Sequence, residues 1–231
     1  MQLGDAIFST SVFSVDVARV QPHPNPVTCI VMGRRGPLSV VGGGQSVTGD
    51  MVIIRPGVEH RIDCGAGGLS AMYLDGMRWT GGDAVAMRLD DRIGALVLAG
   101  MRIDIGAQLE LRERLDDGQS RVHPRMKTIL AQLAADPMGR MSQTELAMQL
   151  DLERTQALRM FKASTGTTFR QFKRWTGLQH AARRIVAGDL VRTAALDAGF
   201  ADSAHLTRTF RQSFGLTPSE AIAGLPAIGL Q

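Results

Sequence analysis

The chain lacks the features that mark membrane, secreted and disulfide-stabilised proteins. None of its apolar runs approaches the ~18 residues needed to span a bilayer. Its first residues, Met1–Asp5, have neither the basic start nor the long apolar stretch of a signal peptide. Two cysteines, Cys29 and Cys64, are too few for a disulfide framework or a zinc site with spaced ligand pairs. We therefore expect a cytoplasmic protein without a membrane partner, in which buried free thiols are favoured over a disulfide across a sheet.

The positive charge of the chain is concentrated in its second half. Residues 121–231 contain 15 Lys and Arg against 8 Asp and Glu, whereas residues 1–120 contain 11 against 14. The net charges of +7 and −3 that follow indicate a polyanionic partner for the second half only. A solvated basic face is the common alternative.

Short apolar runs separated by Gly and Pro occupy residues 1–80. The runs are Val27–Met32, Leu38–Val41, Met51–Ile54 and Leu69–Leu74. Runs of this length and spacing predict strands of a small barrel or sandwich.

The hydrophobic period becomes helical after Gly82. Ile93, Leu96, Val97 and Leu109 mark a helical pair within 81–117, and this stripe could pack on the barrel or on another subunit. Residues 118–124 are predicted to be a linker, and residues 125–231 to be helical throughout.

The helical half contains the same design twice: a short helix, a tight turn, and a second helix that ends at a glycine. The first unit runs from Ser142 through a turn at Asp151–Leu152 to Gly166. The second runs from Val191 through a turn at Ala201–Asp202 to Gly215. We call these units the first and second heads. Two helix-turn-helix units in tandem predict a protein that reads duplex DNA rather than an enzyme.

The second helices of both heads have matching faces. On a wheel of 100° per residue, Arg159 lies opposite the apolar residues of its helix, and Arg208 occupies the same angle in the second head. An Arg in a major groove can bond both guanine acceptors, with about 1–3 kcal/mol of discrimination. A helix of ~19 residues, 169–187, predicts a separation of about one DNA turn between the heads.

These stretches resemble the AraC/XylS-type transcriptional regulators. The matching residues run from Arg159-Met160-Phe161-Lys162 with Thr165-Gly166, through Ala198-Gly199-Phe200-Ala201-Asp202-Ser203, to Phe214-Gly215-Leu216-Thr217-Pro218-Ser219. The resemblance covers residues 125–223 and implies base contacts from Thr155, Leu158 and Arg159 in the first head, and from Ser203, Ala204, His205 and Arg208 in the second. Phosphate contacts are expected from Arg154, Lys162 and Arg211.

The first head departs from this family at two positions. Leu158 is apolar and can only touch a thymine methyl group or pack, and Gly177 stands where the family commonly has Arg in the connecting helix. We therefore expect Arg208 to carry more of the sequence reading than Arg159.

The stretch Gly49–His60 resembles the second conserved stretch of a cupin barrel. The metal-binding His pair of such barrels is absent, since the chain has five histidines, at positions 23, 60, 123, 180 and 205, and the last three lie in the basic half. We therefore predict neither a metal nor another cofactor, and a structural or effector-contacting role for His60. Other polar candidates for an effector pocket are Arg34, Arg35, Arg55 and Tyr73.

The sequence thus predicts an α+β protein of two domains. A cupin-like β-barrel and two following helices precede an all-α domain with tandem helix-turn-helix units joined by a long helix. The predicted function is that of a sequence-specific regulator of transcription whose barrel senses a small molecule. A homodimer through 89–115 is expected as a further partner, with RNA polymerase if the protein activates. The alternatives are a cupin-type enzyme with an accessory helical domain and a nucleoid-type binder without sequence preference.

Overall fold

The structure, a computed structural model, describes residues 10–77, 79–115, 124–136, 139 and 141–225. The strands in these ranges are β1 (Thr10–Val15), β2 (Arg19–Pro24), β3 (Thr28–Gly33), β4 (Leu38–Gly42), β5 (Gln45–Gly49), β6 (Met51–Ile54), β7 (Glu59–Asp63), β8 (Leu69–Leu74) and β9 (Ala86–Arg88). The helices are α1 (Asp91–Met101), α2 (Ile105–Leu115), α3 (Pro124–Ala135), α4 (Gln143–Leu150), α5 (Arg154–Thr165), α6 (Phe169–Val186), α7 (Val191–Asp197), α8 (Ser203–Phe214) and α9 (Pro218–Ala223). None of the helices in these ranges is both long and apolar enough to cross a membrane.

Two antiparallel sheets form the barrel. Their strand orders are β1-β8-β3-β6-β9 and β2-β7-β4-β5. The four apolar runs of the sequence correspond to β3, β4, β6 and β8, so these predictions are confirmed. The shorter or more polar strands β1, β2, β5 and β7 were not predicted. Strand β9 pairs with β6, so the larger sheet continues beyond residue 80 to Arg88.

The larger sheet is buried on both faces. Side chains alternate along β3, so Cys29 and Val31 point into the barrel, whereas Ile30 joins a second core outside it. That outer core includes Val97 of α1 and Leu111 of α2. The apolar stripe of α1 therefore packs on the barrel of the same chain. The predicted linker 118–124 lies outside the described residues except for Pro124, which begins α3.

The barrel and the C-terminal helices share one hydrophobic core. Phe214 of α8 lies 5.4 Å from Tyr73 and 5.6 Å from Trp175, measured between ring centroids, and 5.9 Å from Phe13 of β1. Tyr73 and Trp175 are themselves 5.3 Å apart. We call these four residues the aromatic cluster, and they join β1 and β8 to α6 and α8.

A buried carboxylate fixes the edge of this interface. Asp75, just after β8, accepts hydrogen bonds from Trp175 Nε1 at 2.6 Å and from Gln179 Nε2 at 3.3 Å. The backbone oxygen of Asp75 accepts a hydrogen bond from Arg112 of α2 at 2.7 Å. One residue thus connects the barrel, the helical pair and α6.

Phe214→Ala tests the contribution of the aromatic cluster. Removing a buried Phe side chain should lower the free energy of unfolding by about 3–5 kcal/mol, because transfer energy and packing are both lost. The emission of Trp175, measured in a Trp79→Phe background, should shift to longer wavelength. The control Leu190→Ala, at a side chain that is 75% exposed, should change stability by no more than about 0.5 kcal/mol. Equal effects of the two substitutions would contradict this account of the interface.

Candidate nucleic-acid interface

The helices of the first head begin and end where the sequence predicts. Ser142 caps α4 by accepting a hydrogen bond from Glu145 N, and the Glu145 side chain accepts one from Ser142 N, which forms a capping box. Asp151 ends α4 in the left-handed conformation, with φ 56°. Gly166 ends α5 with φ 74°, a conformation that glycine adopts without strain.

The outer face of α5 is exposed as the wheel predicts. Ala157 and Phe161 are buried in the core of the first head, whereas Thr155, Arg159 and Lys162 are exposed. Leu158 is half-buried and packs against that core. Of the two roles expected for Leu158, the structure shows packing. Less of its side chain is therefore free to contact a base.

The predicted DNA contacts of the first head line one surface groove. Arg154, Thr155, Leu158, Arg159 and Lys162 line it. Its other walls add residues from the starts of α4 and α6, namely Gln143, Thr168, Phe169 and Arg170. Arg170 is exposed in the first turn of α6 and was missed, because it lies outside the helix-turn-helix pattern. Four cations around one groove provide a surface for a phosphate backbone.

In the second head, α8 also exposes polar and basic side chains. Asp202 caps α8 by accepting a hydrogen bond from His205 N at 2.6 Å. Ala204, His205, Arg208 and Arg211 are exposed and Ser203 is half-buried. The His205 ring lies 5.2 Å from the Phe200 ring, so its orientation is restrained.

The connecting helix α6 spans 18 residues, Phe169–Val186, close to the predicted 169–187. Gly177 is buried at its centre, where an added Cβ would lie 3.1 Å from the backbone oxygen of Ala198. The glycine therefore permits the close approach of α6 to the end of α7. An Arg at this position would have to displace that contact.

The second head is docked on the barrel by its backbone. Gln21 N of β2 donates to Gly215 O at 3.1 Å, and Asp16 N donates to Gly224 O at 2.6 Å. A Cβ at Gly215 would lie 2.4 Å from Gln21 O and 2.6 Å from His23 Nδ1. Only glycine permits this approach of β2 to the end of α8.

An apolar cavity lies between the barrel interior and the C-terminal helices. It has a volume of about 70 Å³, and Ala182, Phe210 and Leu225 form part of its helical wall. Polar residues in its lining are Ser14, His23, Asn25 and Tyr73. Burial raises the pKa of Tyr73 well above its usual value, so this hydroxyl stays neutral.

The other predicted effector contacts lie elsewhere. Arg34 forms an ion pair with Asp16, Arg55 lies 3.7 Å from Asp83, and Arg35 is exposed. None of these three arginines is part of the cavity wall. Tyr73 is thus the predicted candidate that the structure places in the cavity.

His60 has a histidine neighbour that sequence reasoning missed. The rings of His23 and His60 are 4.7 Å apart, because β2 pairs with β7. Asn25 lies between them, with Oδ1 3.1 Å from His23 Nε2 and Nδ2 3.4 Å from His60 Nε2. Within the described ranges, no group of three or more His, Cys, Asp or Glu side chains is arranged to hold a metal.

Burial makes this histidine pair sensitive to acid. Loss of solvation, together with the charge of a protonated His23, lowers the pKa of His60 to about 4. Loss of solvation also lowers the pKa of His23, which abuts the end of α8. Both imidazoles are therefore neutral at neutral pH.

The geometry of the heads agrees with comparisons to known proteins. Residues 146–223 match a family model described as a helix-turn-helix domain. The HTH-type transcriptional regulator NimR of Escherichia coli strain K12 is 26% identical over 109 residues. That match covers 47% of this chain and 40% of NimR, so it spans less than half of the relative.

Solved structures show the same overall fold. ToxT from Vibrio cholerae O395 matches with a TM-score of 0.62 and 10% identity, over 97% of this chain and 100% of that structure. A ToxT structure from strain SCE256 with an unsaturated fatty acid bound matches with a TM-score of 0.59 and 11% identity, over 97% and 98% of the two chains. The predicted two-domain α+β fold is thereby confirmed.

The histidine pair predicts that acid weakens the folded protein. Below the unfolded-state pKa of 6.5, the unfolded chain binds protons that the folded chain does not, so stability should fall as the pH drops from 6.5 towards 4. The shift of His60 alone corresponds to about 3 kcal/mol. Urea unfolding at pH 7.5 and pH 4.5 measures this loss.

His60→Gln should reduce the loss of stability in acid, whereas His205→Gln, on the exposed face of α8, should leave it unchanged. An identical pH dependence in the wild type and in His60→Gln would contradict the assignment.

Proposed function

We propose that this protein is a ligand-responsive transcriptional regulator that reads duplex DNA with both heads. The observation that carries this proposal is the exposure of Arg159 and Arg208 at matched positions of two helices that each end at a left-handed glycine. Lys162, Arg154, Arg170 and Arg211 would hold phosphates beside them. Base contacts from Thr155, Ser203, Ala204 and His205 complete the proposed reading surface, with a minor part for Leu158.

The proposed sensor site is the apolar cavity behind the second head. Its lining is almost entirely hydrocarbon, and its mouth is rimmed by the exposed side chains of Val186, Ile222 and Leu225. This chemistry suits an apolar molecule with one polar end placed near His23 and Asn25. The fatty acid in the similar ToxT structure belongs to that chemical class.

The size of the cavity suggests how binding would be transmitted. Small-molecule sites usually measure about 300–1,000 Å³, whereas this cavity has about 70 Å³. A ligand must therefore enlarge it. The barrel walls are hydrogen-bonded sheets, so the wall formed by α6, α8 and α9 is the one that would move. Binding would then loosen the docked second head and free it to adjust its spacing from the first.

Further partners follow from the same function. A homodimer through 89–115 would use the apolar side chains of Leu98, Ile103 and Ile105, which remain exposed beside the packed stripe of α1. A cytoplasmic location and, for an activator, contact with RNA polymerase would accompany this role.

Arg208→Ala tests the reading function. After selection of the preferred DNA site from a random pool, this substitution should weaken binding there by about 1–3 kcal/mol and relax one base position. Arg159→Ala should have a smaller effect. Leu158 beside it packs against the core of the first head, so we expect this head to contribute less to sequence reading. Binding at a fixed salt concentration, followed by a second selection with each variant, measures both quantities.

Arg211→Ala is the matched control in the same helix. It should weaken binding to all sequences about equally, because a phosphate contact carries no base information. An unchanged sequence preference and affinity for Arg208→Ala would refute the proposal.

Ala182→Phe tests the sensor. Ala182 is buried on α6 in the cavity wall, so the added ring should fill the cavity and push the helical wall outward. We expect a loss of about 1–3 kcal/mol in the free energy of unfolding, a red shift of Trp175 emission, and tighter DNA binding. Ala187→Phe, at the exposed end of α6, is the control. If Ala182→Phe leaves emission and DNA affinity at wild-type values, the cavity does not control the second head.

A further inference from the structure

A second concave site lies between the barrel and the first head. We call it the interdomain cleft; it has a volume of about 610 Å³, within the range typical of small-molecule sites. Its barrel wall comes from the end of β2 and the turn between β6 and β7. Its helical wall comes from the end of α5, from α6 and from Gln212 and Ser213 of α8. Unlike the apolar cavity, it can hold a ligand without rearrangement.

The charges in the cleft are unbalanced. Lys162 and Arg174 project from the helical wall, and Glu59 is the carboxylate of the barrel wall. Among the described residues, no ion pair joins Lys162, Arg174 or Glu59 to an opposite charge. An ammonium and a guanidinium on one wall suit a compact group with two negative charges.

The barrel wall of the cleft is rigid. It contains Pro22, Pro24, Pro26 and Pro56, whose fixed φ angles restrict the backbone that faces the ligand. A rigid wall reduces the ordering that binding would require.

Lys162 connects the cleft to the DNA-binding surface. Its side chain lines both the interdomain cleft and the groove of the first head. The flexible four-carbon stem of a lysine lets its ammonium turn to either side. An anion in the cleft would therefore compete with a DNA phosphate for the same charge.

We propose that the interdomain cleft binds a small dianion between Lys162 and Arg174, such as a phosphate monoester or a dicarboxylate. The ligand bridges the first head to the barrel, which already holds the second head through Gln21 and Gly215. It also withdraws Lys162 from DNA. The withdrawal rests on the proposed function, whereas binding in the cleft does not.

Titration calorimetry of the full chain with inorganic phosphate and with succinate at pH 7.5 tests the site. We expect binding that Arg174→Ala weakens by about tenfold, since a charge-assisted hydrogen bond is lost. Glu59→Gln should strengthen binding, because a repelling carboxylate is removed. Tighter binding of phosphate would assign the site to phosphate monoesters, and tighter binding of succinate to dicarboxylates.

Two control variants locate the bound ion. Arg183→Ala removes an exposed cation of α6 outside the cleft, and Arg159→Ala removes one from the DNA groove. Both should bind the dianion as the wild type does. Loss of binding in Arg159→Ala with retention in Arg174→Ala would place the ion in the DNA groove and overturn the proposal, as would no binding of either probe.

A linkage measurement tests the competition. Saturating dianion should weaken DNA binding by the same factor by which DNA weakens dianion binding. Lys162→Ala should remove this coupling, whereas Arg183→Ala should keep it. The protein could bind the dianion in a manner that depends on Arg174 and yet not bind DNA. That result would refute the proposed function but support the site in the cleft. Binding of both ligands without coupling would overturn the role of Lys162.

Discussion

The contact between Phe214 and the barrel is the constraint on which the arrangement of the domains depends. Phe214 belongs to α8, the second helix of the second head, yet its ring packs against Phe13 and Tyr73 of the barrel. The second head therefore does not have a hydrophobic core of its own; it shares one with the N-terminal domain. The first head, by contrast, has a separate core formed by α3 to α6. The two heads are alike in sequence design and unlike in how they are supported.

This asymmetry ties one head, but not the other, to the packing of the N-terminal domain. The cavity, the histidine pair and the buried carboxylate of Asp75 all lie where the barrel meets α6 or α8. Each depends on burial that separation of the domains would remove. The free energy that holds the second head in place is thus spread over apolar, aromatic and polar contacts, and a change in any one of them alters the same equilibrium.

The sequence predicted the parts of the molecule that are governed by local pattern. Helix periodicity placed Arg159 and Arg208 correctly on exposed faces, and the predicted terminal glycines, Gly166 and Gly215, end α5 and α8. Contacts between distant segments were beyond this reasoning. His23 became the neighbour of His60 only because β2 pairs with β7, and Phe214 carries no local signal that it faces Tyr73, 141 positions earlier in the sequence. The sequence also does not reveal why a glycine stands inside α6: the backbone oxygen of Ala198 lies close to Gly177.

The two glycines that end α5 and α8 lie in different surroundings. Gly166 and Gly215 have similar backbone angles, with φ of 74° and 68°. A side chain on Gly166 would meet open space, whereas one on Gly215 would collide with β2. An asparagine, which accepts left-handed angles, could therefore replace the first glycine but not the second, so the two units cannot exchange their helix ends.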